Sequence, residues 1–233
     1  MKKTDAFIIA GIIILLSPFF IFPQVFHAYE TFNKEHGMVM AFIKFGILAT
    51  FGEAVGLRIK TGVYNHKGFG LIPRAIVWGF LGLTIAAAFK IFATGVPVFL
   101  AYLGKANAPE AIKGVFSLTK LCTAFAISAA MNVTYAPVMM TFHKITDTHI
   151  LSNGGRFACL FRPIKFADIF VSINWRVQWN FVFKKTIPFF WIPAHTITFL
   201  LPPEYQVLFA AALSVALGIF LAVASVLNQE KQK

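Results

Sequence analysis

His195 and Thr198 stand three residues apart in the apolar stretch Trp191–Pro203, which four prolines, Pro188, Pro193, Pro202 and Pro203, bracket and interrupt. An interior proline removes a backbone donor and crowds the residue four positions earlier, so a helix here is expected to kink or break. At membrane depth a broken helix survives only where protein or a watery cavity covers the freed backbone groups. The two side chains share one side of the segment, and the expectation is that they line an aqueous path. An imidazole with an ordinary pKa of about 6.5 changes charge in the physiological range. Permeation that responds to mild acidification, and loses that response in His195→Gln, is the corresponding expectation. The plain alternative is a histidine hydrogen-bonded into helix packing.

A second set of residues carries charge into apolar runs: Lys44, Glu53, Arg74, Lys90 and Lys120. A charge at the bilayer centre costs about 2.5–3.5 kcal/mol on insertion scales, so such groups face protein or water, or snorkel to the headgroups. Glu53 shares a helical face with Gly46, Ala49 and Gly56, which makes it either a packed, paired carboxylate or a cavity-lining one. Asn132 and Ser128 read as hydrogen-bonding glue between helices. Trp175, Trp179 and Trp191 read as an interfacial belt. The candidate pore or solute-binding residues are therefore Glu53, Arg74, Lys120, Asn132, His195 and Thr198.

Bond-making chemistry finds little support. There is no HExxH, phosphate loop, nucleophile elbow or paired-carboxylate motif. The remaining histidines (His27, His36, His66, His143, His149) lack ligand spacing, and Cys122 and Cys159 form no framework. No enzyme activity, metal or cofactor is expected. The net charge of +12 reads as attraction to anionic headgroups, because nearly every basic residue flanks an apolar run. A basic face for nucleic acid is not indicated.

These residues must be positioned by membrane helices. The chain has 233 residues, 58% of them hydrophobic and only 13% charged, too apolar for an ordinary soluble domain. It reads as one all-α, polytopic membrane domain over residues 1–233. An uncleaved first span, Ala6–Phe22, precedes a short polar loop, His27–His36. Gly37–Leu57 follows, with Gly52 and Gly56 as a GxxxG pair that permits close helix contact. Leu71–Leu103 exceeds a bilayer's need, so a bend near Gly95 and Pro97 is expected. Val115–Phe142 is the fourth span and His143–Ala167 a basic loop turning at Ser152–Gly155. The amphipathic Asp168–Lys185 leads into the broken segment Ile187–Leu201, and Glu204–Leu227 is the cleanest span.

Loop charges give orientation. Lys2 and Lys3, the Arg58–Gly70 loop, the His143–Ala167 loop and the tail with Lys231 and Lys233 are basic, while the intervening segments carry few positive charges. About six spans with both ends inside satisfy this bias. Four full spans plus broken or interfacial helices is the rival count. Labelling of cysteines at positions 33 and 107 from outside intact cells distinguishes the two.

The stretch Thr186–Leu208, TIPFFWIPAHTITFLLPPEYQVL, carries Trp191, His195, Thr198, Phe199 and Pro203 at the spacing of a tryptophan, glutamine, asparagine-phenylalanine and proline signature. It resembles the Mpv-seventeen and peroxisomal membrane protein family in a prokaryotic version. Asn132 before Pro137, Gly52 with Glu53, and Arg74 with Gly79 are similar to further family positions. His195 stands where the family has glutamine, Thr198 where it has asparagine, and Gln206 or Val207 where it has arginine. The resemblance implies a small integral membrane protein associated with membrane permeability and pore formation. A bacterial plasma membrane, or an organelle membrane in a eukaryote, is the implied setting.

The functional expectation is a channel-like pathway for small polar or anionic solutes, since the embedded charge is mostly basic. A proton-linked transporter using Glu53 or His195 is the alternative. A structural or assembly protein, whose small-residue face meets a partner helix or a second copy of the chain, is the third reading.

Overall fold

A computed structural model describes residues 3–230. Lys2, Lys231 and Lys233, which the orientation argument uses, lie outside the described residues. The described chain is predominantly helical, and no strand occurs among the described residues. Long apolar runs without alternation leave the backbone no other way to satisfy itself in lipid.

The chain divides into two compact units, Met1–Met40 and Ala41–Lys233. In the first, α1 (Lys3–Ile21) carries no buried residue and shows Phe7, Ile14, Leu15 and Phe20 to its surroundings. The expected polar loop after it is instead a helix, α2 (Pro23–Glu35). Pro23 opens α2, where its missing N–H costs nothing, and no further proline or glycine interrupts the run before Gly37. Phe19 and Tyr29 meet edge to face at 5.6 Å and tie the two helices together.

The second unit is the bundle. Helix α3 (Gly37–Thr61) enters it at Ala41. It is followed by α4 (Leu71–Tyr102), the short α5 (Ala108–Ala111), α6 (Leu118–Thr134) and α7 (Ala136–Ser152). A 3-10 turn at Phe157–Phe161 leads to α8 (Phe166–Ser172) and α9 (Trp175–Val177). A π-helical stretch at Gln178–Trp191, α10 (Ile192–Leu200) and α11 (Pro203–Glu230) complete it.

Glycines set the closest approaches. A Cβ on Gly52 would lie 2.8 Å from the Val215 Cα, and one on Gly218 would lie 2.7 Å from the Gly52 carbonyl oxygen. The GxxxG face of α3 is therefore covered by α11 within this chain. Gly46 meets the Ala75 carbonyl, and Gly82 admits the Phe45 side chain. Around these contacts Phe45, Ile85, Phe89, Ile127, Met131 and Phe199 form the main core.

Helix α4 continues as one helix through Gly95 and the buried Pro97. Two expected elements differ. The fourth span breaks earlier than expected, at Tyr135 before Pro137. α6 and α7 are bent by 45°, and α7 continues to Ser152. The turn after it falls as expected, with Gly154 and Gly155 at φ +66° and +63°, a region open to glycine. The segment around Pro188 and Pro193 does not break. Backbone remains helical from Trp175 to Leu200, and the chain opens only at Leu201 and Pro202. Pro188 lies inside the π-helical stretch and Pro193 at the second residue of α10, and the backbone stays helical through both.

Four helices, α1, α3, α4 and α11, are each long and apolar enough to cross a membrane, and the bent α6–α7 pair is a fifth. The chain is thus an integral membrane helical bundle. The fifth expected crossing, Asp168–Lys185 with Ile187–Leu201, falls on a helical run from Trp175 to Leu200 that is split between π-helical and α-helical pieces and carries Lys184 and Lys185.

Candidate functional site

Helices α6 and α10 pack against each other and bring His195 to Asn132. The Asn132 amide nitrogen lies 2.9 Å from the Ser128 carbonyl oxygen and 3.0 Å from His195 Nδ1. That nitrogen donates to the Ser128 carbonyl, and His195 Nδ1 also lies 3.2 Å from the Asn132 amide oxygen, so the imidazole meets both ends of the amide. The Ser128 hydroxyl donates to the Ile192 carbonyl at 2.7 Å, and so does the Thr196 hydroxyl at 2.7 Å. These hydroxyls serve a carbonyl next to Pro193. The His195 ring stacks on Trp191 at 5.0 Å and meets the edge of Phe89 at 5.4 Å. Trp191 is thus part of the interior, not of an interfacial belt, while Trp179 is exposed.

Closer to the Arg58–Gly70 loop lies a charge cluster. Arg74 on α4 pairs with Glu53 on α3 and with Asp147 on α7. Its Nε donates to the Phe69 carbonyl at 2.7 Å, and its guanidinium lies 4.5 Å from the Phe69 ring centre. Glu53 also accepts from Trp78 Nε1 at 2.9 Å and lies 3.1 Å from His143 Nε2. Lys144 adds a cation 3.9 Å from Asp147. Arg74 is therefore already matched by two carboxylates, so its charge is not available to attract an anion as the sequence suggested.

Neighbouring cavities border these two centres. One of about 40 Å³ is bordered by His195, Asn132, Tyr135, Phe89 and Trp191. A second, of about 280 Å³, is bordered by Glu53, His143, Lys144, Gln178 and Thr186. Trp78, Met139, Met140, Trp191 and Ser214 line both. A third, of about 650 Å³, lies beyond Phe89 and is bordered by Lys90, Lys113, Lys120, Glu204 and Gln206. Phe89 lines this one and the small cavity. The indole N–H of Trp191 is buried with no hydrogen-bond partner among the described residues, beside the junction of the first two cavities.

The candidate residues thus divide. Glu53 borders the 280 Å³ cavity, Asn132 and His195 the small one, and Lys120 the 650 Å³ one, where its ammonium also donates to the Gly114 carbonyl at 2.8 Å. Thr198 is fully buried, with its hydroxyl donating to the Ala194 carbonyl at 3.0 Å, and it borders none of the three. His143, Asp147 and Trp78 escaped sequence reasoning. The first two fell in a stretch read as loop, and their i, i+4 spacing on α7 was the signal available. Among the described residues no three His, Cys, Asp or Glu side chains converge as metal ligands.

No family model, curated protein or solved structure matches the chain.

Proposed function

We propose that the chain forms or gates a channel-like pathway for small polar or anionic solutes. The observation that carries this reading is a set of three cavities in the bundle, the smallest of which shares lining residues with each of the other two. At one end Lys90, Lys113 and Lys120 give a basic mouth against the single acid Glu204, a composition that favours anions. At the narrow centre the cavity wall is largely apolar, with Asn132, His195 and Trp191 as polar residues buried at its border. The resemblance of Thr186–Leu208 to a family associated with pore formation points the same way.

The test is flux in vesicles containing the purified protein. Anion-selective reversal potentials, weakened in a Lys90→Gln, Lys113→Gln, Lys120→Gln variant, are the expected result. Cation selectivity, or no flux under any imposed gradient, overturns the reading. A proton-linked transporter is the second reading, favoured by the 3.1 Å approach of His143 to Glu53 at a cavity wall. Uptake that requires a proton gradient and is lost in Glu53→Gln would select it.

A further inference from the structure

A fourth polar cavity, of about 560 Å³, lies away from the proposed pathway, between α7, the Arg162–Lys165 stretch and α8. Its charged and polar walls are Arg162, Lys165, Asp168, Ser152, Asn153 and Ser172. Arg162 uses Nη1 on the Asn153 amide oxygen at 2.8 Å, which leaves its other nitrogens for an anion. The Asn153 amide nitrogen is engaged by the His149 carbonyl at 2.8 Å. The Ser152 and Ser172 hydroxyls donate to carbonyls three residues back, at 3.0 and 2.7 Å, so toward a ligand they act only as acceptors. Asp168 makes no ion pair among the described residues. The cavity therefore offers two cations for an anionic group and a carboxylate with two hydroxyl oxygens for a hydrogen-bond donor that carries positive charge.

An apolar groove of about 450 Å³ lies between α4 and α7, bordered by Val77, Phe80, Leu81, Val138 and Phe142. Val138, Phe142 and Thr146 in this groove and His149 and Asn153 in the polar cavity follow one another at three- and four-residue steps, along one face of α7. Phe80 and Val138 are exposed there, on helices that face lipid. The polar cavity lies at the basic end of the bundle, where Gly155 packs on Gly68 and Gly70 of the Arg58–Gly70 loop.

We propose that this face of α7 binds one phospholipid whose headgroup joins a phosphate to a primary ammonium, as in phosphatidylethanolamine. The phosphate sits on Arg162 and Lys165, the ammonium donates to Asp168 and the serine oxygens, and an acyl chain follows the α4–α7 groove. Phosphatidylcholine lacks ammonium hydrogens to donate, and phosphatidylglycerol lacks the positive charge, so both are poorer ligands.

The test is lipid retention by the purified full chain, read by native mass spectrometry with the three lipids at equal concentration and matched acyl chains. Wild type retains one phosphatidylethanolamine with about tenfold preference over either competitor. Arg162→Gln with Lys165→Gln lowers that retention about tenfold, and Asp168→Asn removes the preference over phosphatidylglycerol. All three residues are exposed, so the variants keep the wild-type unfolding temperature. Equal retention of the three lipids by wild type overturns the proposal, as does undiminished retention by the double variant. Displacement by soluble phosphoethanolamine at lipid concentrations overturns it too, because the groove then contributes nothing.

Discussion

Asn132 and His195, 63 residues apart in sequence, meet across the α6–α10 contact, with the imidazole Nδ1 3.0 Å from the amide nitrogen and 3.2 Å from the amide oxygen. Each is buried and each borders the 40 Å³ cavity. Glutamine at position 195 keeps a polar end within reach of Asn132. His195→Gln is expected to cost under about 1 kcal/mol, the scale of a helix–helix hydrogen bond in membranes. His195→Ala also enlarges the cavity under Trp191 and Phe89 and is expected to cost about 2–4 kcal/mol. Unfolding of the detergent-solubilised protein by denaturant measures both. Equal losses would mean that the bond to Asn132 carries no more than packing.

Arg74 is the pivot of the charge cluster, since Glu53 and Asp147 both depend on it. Arg74→Leu removes the cation that the two carboxylates share, leaving Glu53 with His143 and Trp78 and Asp147 with Lys144. Removing one partner of a buried pair costs about 3–5 kcal/mol, and that loss is expected here. Glu53→Gln is milder, because Asp147 still matches Arg74 and the amide still accepts from Trp78. Arg74→Lys keeps the charge but cannot span both acids and the Phe69 carbonyl with one fork, so it falls between the two. Thermal unfolding in detergent ranks the three variants.

The helical bundle was legible in the sequence because twenty-residue apolar runs have one solution in lipid. Glu53, Arg74, Asn132 and His195 were legible as residues too polar for their surroundings. Their partners were not. The helix carrying His143 and Asp147 reads as a basic loop, since hydrophobicity fades there and only the α6–α7 bend at Tyr135 reveals that the chain stays helical. The prolines misled for a related reason. Pro188 and Pro193 are expected to break an α register, but the helix runs through both, with a π-helical stretch over Gln178–Trp191. Trp191 resembled a belt residue by type alone, whereas its stacking on His195 is a tertiary contact with no local signal.

Gly218 leaves room for no side chain, because a Cβ there would meet the Gly52 carbonyl oxygen at 2.7 Å, backbone against backbone. Gly218→Ala is expected to push α11 off α3 and to cost about 1–3 kcal/mol, the range for overpacking. Gly11→Ala, with nothing within 4 Å of its Cβ, is the matched control and should leave stability unchanged. The midpoint of denaturant unfolding checks the pair. A neutral Gly218→Ala would show that the α3–α11 contact gives way easily.

Cys159 is buried in the 3-10 turn beside α7, and burial pushes its thiol above the ordinary range, against the nearby Arg162 charge, which lowers it. The folded state therefore favours the neutral thiol. Its contribution to stability is present below the thiol's unfolded pKa and is lost as pH rises through the higher folded value. Maleimide labelling of Cys159 in a Cys122→Ala background is expected to be slow at pH 7 and to accelerate as pH rises toward and past the ordinary thiol range. Cys122, which is exposed, should label at neutral pH. Rapid neutral labelling of Cys159 would mean that its turn opens readily.

Phe89 separates the 650 Å³ basic cavity from the 40 Å³ cavity at His195, packed against Phe199 at 5.0 Å and against the His195 ring. If solute crosses by this route, Phe89 is the narrowest apolar barrier on its basic side. Phe89→Ala removes the ring from both cavity walls and is expected to raise anion flux in vesicles, at a stability cost of about 3–5 kcal/mol. Phe89→Leu keeps part of the barrier and most of the core, so its flux should lie between the two with a smaller loss of stability. Phe99→Ala, at a site 58% exposed on the same helix, should leave flux unchanged. Flux measured on folded protein, verified by its unfolding transition, separates gating from collapse. If Phe89→Ala stays folded and conducts as wild type does, solute does not pass between these two cavities, and the route must leave the bundle on the Glu53 side of His195.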